Sequence, residues 1–273
     1  MKKILLTLLC LSIILPFSQL KEASASALPS KSAVYLKAGK FFILYTKPAA
    51  PFMDKNQRLL VPLRIFEELF GGKVAYSTTS KTAQLEWLDH QFQFTVGSNK
   101  AEMDGQTVVM DTEPVLKSGA VFLPIRIFLD RADLKSHWDK KLQVLVLDDE
   151  KILTGQPFKN FDGNDLYSNS QDGAFRIDSY TITSKSNSTF RLTINAANVT
   201  GHALPKGKSD IHPLVSYEKS AGGGFATDSY SKPFYPTIPE VKQDGQISVS
   251  QNFPAKGVDY IITVAREFAD QSQ

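Results

Sequence analysis

The sequence predicts an α+β protein: an N-terminal module of two strand–helix–hairpin repeats, with two helices and several antiparallel strands, followed by an all-β sandwich. Three observations point there. Leu60-Val61-Pro62-Leu63-Arg64-Ile65-Phe66 recurs as Phe122-Leu123-Pro124-Ile125-Arg126-Ile127-Phe128, with the two prolines 62 residues apart. An aromatic follows each proline by 14 residues, Tyr76 in the first unit and Trp138 in the second. Beyond Gly173 the apolar residues recur almost entirely with a period of two, the strand period. A repeat that keeps its apolar residues while its surface residues drift is a packing unit, not an active site. Pro62, Arg64, Phe66, Pro124, Arg126, Phe128 and Trp138 are therefore read as structural residues of the repeat.

The first residues read as a secretory signal peptide. Lys2-Lys3 is a basic start, Ile4 to Phe17 an apolar core, and Ala23-Ser24-Ala25-Ser26-Ala27 offers small-x-small cleavage sites. The expected leader is residues 1–27. The apolar run is shorter than the roughly 20 residues of a membrane span, so no integral span is expected after cleavage. Cys10 is the chain's one cysteine and lies inside this leader. The mature protein then has no disulfide and relies on its hydrophobic core.

Val34 to Tyr45 is strand-like, and Pro48 to Asn56 marks a loop. The first helix is expected to begin at Pro62, where a missing amide does no harm. Ile65, Phe66, Leu69 and Phe70 give it one apolar face, and Gly71-Gly72 a left-handed stop. Val74–Tyr76 and Ala83–Trp87 read as a hairpin. Phe92–Val96, Lys100–Met103 and Thr107–Met110 continue as strands, the last two joined by Asp104-Gly105, a strong hairpin signal. The second unit repeats this order: a strand over Val121–Leu123, a helix from Pro124, and a hairpin from Trp138 to Leu147. Asp133 stands where the second helix should stop, and it can adopt the left-handed conformation at some cost.

Residues 150–169 are rich in Gly, Asn, Asp and Ser and read as a linker with one weak turn. Residues 170–269 read as the sandwich, of immunoglobulin-like kind. Phe190-Arg191-Leu192-Thr193-Ile194, Ile247–Ser250 and Tyr260–Val264 alternate. Phe175 and Ile177 are one residue out of phase with Tyr180 and Ile182, which predicts a bulge near Asp178-Ser179.

Leu60-Val61-Pro62-Leu63-Arg64 with its helix, Val96-Gly97-Ser98 with Asp104-Gly105-Gln106, Asp111-Thr112-Glu113-Pro114, Phe122-Leu123-Pro124-Ile125-Arg126 and Trp138-Asp139 together resemble the copper amine oxidase N-terminal-like, or stalk, domain. The resemblance covers residues 34–149. It implies an extracytoplasmic, non-catalytic module with a cell-wall role, and neither copper nor oxidase activity. The oxidase chemistry needs an Asn-Tyr motif and paired histidines, and the chain has no Asn-Tyr and no His-x-His.

Composition and motifs narrow the chemistry. Without residues 1–27 the chain has 28 basic and 27 acidic side chains, a net charge of +1. With no long basic run, nucleic acid is not an expected partner. His90, His137, His202 and His212 are scattered, whereas a metal site needs three or four convergent ligands. No metal and no cofactor is expected. Arg64 and Arg126 sit in the first helical turn, against the helix dipole, with Glu67 or Glu68 and Asp130 in reach as ion-pair partners. No Gly-x-Ser-x-Gly elbow and no phosphate-binding loop occurs. The candidate ligand-binding residues are Phe225, Tyr230, Lys232, Phe234 and Tyr235, an aromatic loop after Gly222-Gly223-Gly224 suited to stacking on sugar rings. The reading is an exported, non-catalytic envelope or extracellular protein that binds cell-wall polymer, polysaccharide or another envelope protein. Its rivals are a secreted hydrolase with a site in the C-terminal region, and a structural spacer or protein–protein interaction module.

Overall fold

The structure, a computed structural model, describes residues 31–165, 170–186, 189–217, 224–227, 238–254 and 258–268; the expected signal peptide lies outside them. The described chain is α+β, mostly strand with three α-helices. β1 (Leu36–Ala38) and β2 (Phe41–Thr46) form a hairpin, then β3 (Phe52–Met53) and β4 (Leu59–Pro62) lead into α1 (Arg64–Glu68). An antiparallel meander follows: β5 (Lys73–Ser77), β6 (Thr82–Trp87), β7 (His90–Thr95), β8 (Lys100–Met103) and β9 (Gln106–Val109). β10 (Val115–Lys117) and β11 (Ala120–Pro124) lead into α2 (Arg126–Arg131), and β12 (Ser136–Asp139) and β13 (Val144–Leu147) form the next hairpin. A 3-10 turn over Glu150–Ile152 precedes α3 (Gln156–Asn164). The remainder is strand: β14 (Ser170–Asp172), β15 (Phe175–Ser186), β16 (Thr189–Asn198), β17 (Ser209–Tyr217), β18 (Gly224–Thr227), β19 (Gln246–Pro254) and β20 (Val258–Phe268).

The two proline-bearing stretches lie side by side. β4 and β11 run antiparallel with Val61 opposite Leu123, Pro62 opposite Phe122 and Leu60 opposite Pro124. The Leu63 amide donates to the Val121 carbonyl at 2.8 Å and the Ile125 amide to the Leu59 carbonyl at 3.1 Å. These bonds fix the ladder so that each proline falls at a non-hydrogen-bonded position, where its missing N–H is harmless. The prolines therefore close the strands, and the helices begin two residues later than the proline rule suggests, at Arg64 and Arg126. Phe66 and Phe128, both buried, meet with ring centroids 4.6 Å apart. Gly71 ends the first helical segment at φ +73°, and Asp133 takes that conformation in the second at φ +48°.

The meander buries one face. Ala83, Leu85, Trp87, Phe92, Phe94, Ala101 and Met103 join the same core as Phe66 and Phe128. Its Asp104-Gly105 turn has positive φ at both residues, +49° and +75°, as a two-residue hairpin of this twist requires. Asp104 also ties the sheet to α2. Its carboxylate accepts from the Gln91 amide at 2.9 Å and from Arg131 Nε at 3.1 Å, and lies 2.9 Å from His90 Nδ1. The Gln91 amide, then His90 and Arg131, hold this carboxyl down at about 2.

The strands from both ends of the chain share one sheet, in the order β12-β13-β1-β2-β20-β17-β18, with β14 also paired to β20. β2 and β20 are antiparallel neighbours, Ile43 opposite Ile262 and Tyr45 opposite Ile261. All six residues of β2 are buried because both faces of this sheet are covered. Phe41 and Ile43, with Tyr260, Ile262 and Val264, face the core beneath the helices and the meander. Phe42, Leu44 and Tyr45, with Val258, Ile261 and Ala265, face the second core, under the three-stranded sheet β15-β16-β19. The described strands of residues 170–269 thus do not form a sandwich by themselves: β17, β18 and β20 are completed by β1, β2, β12 and β13. The reason lies in Tyr260-Ile261-Ile262-Thr263-Val264, apolar on both faces and stable only in the middle of a sheet. Between Ile177 and Ser179 the β15–β16 register shifts by one residue, the bulge that the phase break predicts.

Within the expected linker, 150–169, the described residues 150–165 carry a 3-10 turn and a helix. α3 packs Phe158 and Phe161 into the core, with ring centroids 5.0 and 5.2 Å from that of Phe41. At its start, a Cβ on Gly155 would come within 1.7 Å of the Leu69 carbonyl oxygen, so only glycine fits. At its end sits an ionic network. Arg266 of β20 donates through Nη1 and Nη2 to the two oxygens of Asp165, each at 2.7 Å, and through Nε to Asp210 of β17 at 2.7 Å. Lys40 reaches Asp162 at 2.8 Å and Asp165 at 3.1 Å. Burial alone would lower the pKa of Arg266, but the carboxylates of Asp165 and Asp210 outweigh it and raise it. Burial pushes the Asp210 carboxyl upward against the pull of His212 and Arg266.

Two predictions follow from these contacts. Arg266→Met leaves Asp165 and Asp210 without their shared cation, and is expected to lower the unfolding free energy by about 3–5 kcal/mol in urea denaturation; a loss under about 1 kcal/mol would contradict the network's role. Asp104 has a folded pKa of about 2, below the roughly 3.9 of an unfolded aspartate. Its contribution to stability is therefore present above about pH 4 and lost as pH falls toward 2. A carboxyl-carbon NMR titration should show the Asp104 midpoint near 2 in the folded protein, and a higher midpoint, still below the normal one because the Gln91 amide remains, in Arg131→Ala/His90→Ala protein.

Candidate binding groove

An open cleft of about 950 Å³ lies beside α2. Four parts of the fold build it. One wall is the start of α2 and the strand before it, with Pro124, Ile125, Arg126, Leu129 and Asp130. The turn between β3 and β4 adds Gln57 and Arg58, next to Asp111. The opposite side is the edge of the shared sheet, with Tyr35, Leu145 and the β12 residues Ser136, His137 and Trp138. Arg176, Ile177 and Asp178 join it from β15, at the bulge. An extra residue in a strand re-aims its side chains, and here the bulge lies at the rim of the cleft.

Trp138 is the notable surface residue. It is 43% exposed, one of three large exposed hydrophobics among the described residues. It lies opposite Leu145 on β12, the terminal strand of the shared sheet. The corresponding aromatic of the first unit, Tyr76, packs partly buried against the core. The sequence treats the two as equivalent packing residues, whereas the structure leaves the second at the cleft.

The polar lining is paired. Arg58 Nε lies 2.6 Å from Asp111, Arg176 Nε 2.6 Å from Asp178, and Arg126 Nε 3.6 Å from Asp130. His137 Nδ1 lies 2.7 Å from Asp148. Such partly exposed pairs add only about 0–1 kcal/mol each to stability, so their interest is as hydrogen-bonding groups on a concave surface. Among the described residues no three His, Cys, Asp or Glu side chains converge as metal ligands would.

The sequence-predicted residues divide cleanly. Pro62 and Pro124 close strands, Phe66 and Phe128 fill the core, and Arg64 pairs with Glu68 at 2.8 Å outside the cleft. Arg126 and Trp138 line the cleft. Phe225 falls in β18, its backbone opposite Ser216, at the other end of the shared sheet from β12. Tyr230, Lys232, Phe234 and Tyr235 lie outside the described residues. The sequence reading misses Tyr35, Arg58, Asp111, Arg176 and Asp178, which come from four separate segments. The one available signal was the predicted bulge at 178–179.

Fold and cleft define a class: a small α+β module of strands and short helices with an open cleft beside its second helix. Residues 42–147 match the family model described as Copper amine oxidase N-terminal domain, and this segment is a domain of that family. That domain is a non-catalytic, stalk-like module. The matched segment runs from β2 to β13, so β20, the strand that pairs with β2, lies beyond it. A search of curated proteins finds no match.

Proposed function

We propose that this is an exported, non-catalytic binding protein of the cell envelope or extracellular space, and that it holds wall polymer or polysaccharide in the cleft at Trp138. The observation that carries the reading is a 43% exposed indole at a concave surface of about 950 Å³ furnished with paired donors and acceptors. An aromatic face contacts the C–H face of a sugar, and the surrounding polar groups orient it. The basic start, apolar core and small-x-small sites of residues 1–27 support export. The stalk-like domain supports a role in binding or display rather than catalysis.

Retention of the mature protein on purified cell wall and on insoluble polysaccharides tests this. Trp138→Ala should weaken retention by about tenfold or more. Its melting temperature should stay within about 2 °C of the parent's, because the side chain lies at the surface. No retention of the parent on any of these materials, or equal retention of the variant, would overturn the reading.

A further inference from the structure

The charge arrangement in the cleft says which glycans suit it. Its lining holds three arginines, Arg58, Arg126 and Arg176, and three aspartates, Asp111, Asp130 and Asp178. Each arginine has its own carboxylate, at 2.6, 3.6 and 2.6 Å respectively. The lining therefore has no net charge from these groups. An anionic polymer would have to bring its charge against a carboxylate at every cation, or break an existing pair to replace it. Like charges at such distances repel, so the carboxylates offset what the arginines offer a polyanion.

A hydroxyl-rich neutral molecule meets the opposite situation. Arg58 and Arg176 engage their aspartates through Nε, and a guanidinium carries five N–H donors in a planar fork. A carboxylate accepts at about four lone-pair sites. Each Arg–Asp pair thus presents donors and acceptors together, the complement of neighbouring sugar hydroxyls, which both donate and accept. Trp138 supplies the apolar platform beside them.

We propose that the cleft takes an uncharged glycan segment, stacked on Trp138 and hydrogen-bonded by the Arg58–Asp111 and Arg176–Asp178 pairs. This rests on the reading of the cleft as the glycan or wall-polymer site. The volume of about 950 Å³ is at the upper end for a ligand pocket, enough for a short oligosaccharide. The near-neutral balance of the chain without its leader, 28 basic against 27 acidic residues, gives no long-range attraction for a polyanion either.

Isothermal titration of the mature protein with cello- and chito-oligosaccharides, and with polygalacturonate as the anionic probe, tests this. The expected result is saturable binding of a neutral oligomer, with a Kd that changes less than about twofold between roughly 0.05 and 0.5 M sodium chloride. Trp138→Ala should weaken that binding about tenfold, and Trp138→Phe, which keeps a ring, should restore most of it. Preferred binding of polygalacturonate that falls steeply with salt would overturn the inference, as would binding of neither neutral series. Failure of the underlying cleft reading is separately visible: retention on whole cell wall would then be indifferent to Trp138→Ala. Retention that depends on Trp138 without neutral-glycan binding would sink only the present inference.

Discussion

The pairing of β2 with β20 is the contact on which the rest of the structure depends. It joins a strand near the start of the described chain to one at its end, and each is apolar on both faces. Neither can sit at a surface without exposing a full row of large side chains. Together they form the middle of a sheet with a core on each side. The helices and the meander cover one face, and β15, β16 and β19 the other. The family-matched segment, residues 42–147, contains β2 but not its neighbour, so this domain is completed by strands from outside the match.

The same arrangement explains why α3 and the ionic network lie where they do. A sheet assembled from distant segments needs its edges and connections fixed. Gly155 lets the chain pass against the Leu69 carbonyl, Phe158 and Phe161 anchor to Phe41, and Asp165 then meets Arg266 on β20. The network's value is positional as much as energetic. Buried ion pairs add little net stability but are costly to leave half-made. The cleft lies where α2, β12 and the β3–β4 turn of the matched segment meet β15 from beyond it.

Much of the local structure was legible in the sequence. The Asp104-Gly105 turn, the hairpins of the meander, the stop at Gly71, the left-handed Asp133 and the bulge at 178–179 each have a short-range cause. The helix starts were misplaced by two residues because a proline suits both a first helical turn and a non-hydrogen-bonded strand position. Only the β4–β11 register distinguishes them. α3 escapes the sequence reading because Asn160, Gly163 and Asn164 lower its helical propensity, and its stability comes from tertiary packing of two phenylalanines. The shared sheet was missed for a related reason. Phe41-Phe42-Ile43-Leu44-Tyr45 announces a strand buried on both faces, but nothing local names the strand beside it. For the cleft, sequence reasoning supplied Arg126 and Trp138 as packing residues. Trp138 is exposed through the sheet's edge, which a pattern of apolar residues does not encode.

Calorimetric unfolding of the chain without residues 1–27 tests the central claim, that the family-type domain and the strands beyond it form one cooperative unit through β2 and β20. The account predicts a single transition whose calorimetric and van't Hoff enthalpies agree. Two separable transitions, one retained by residues 31–149 expressed alone at the same melting temperature, would contradict it.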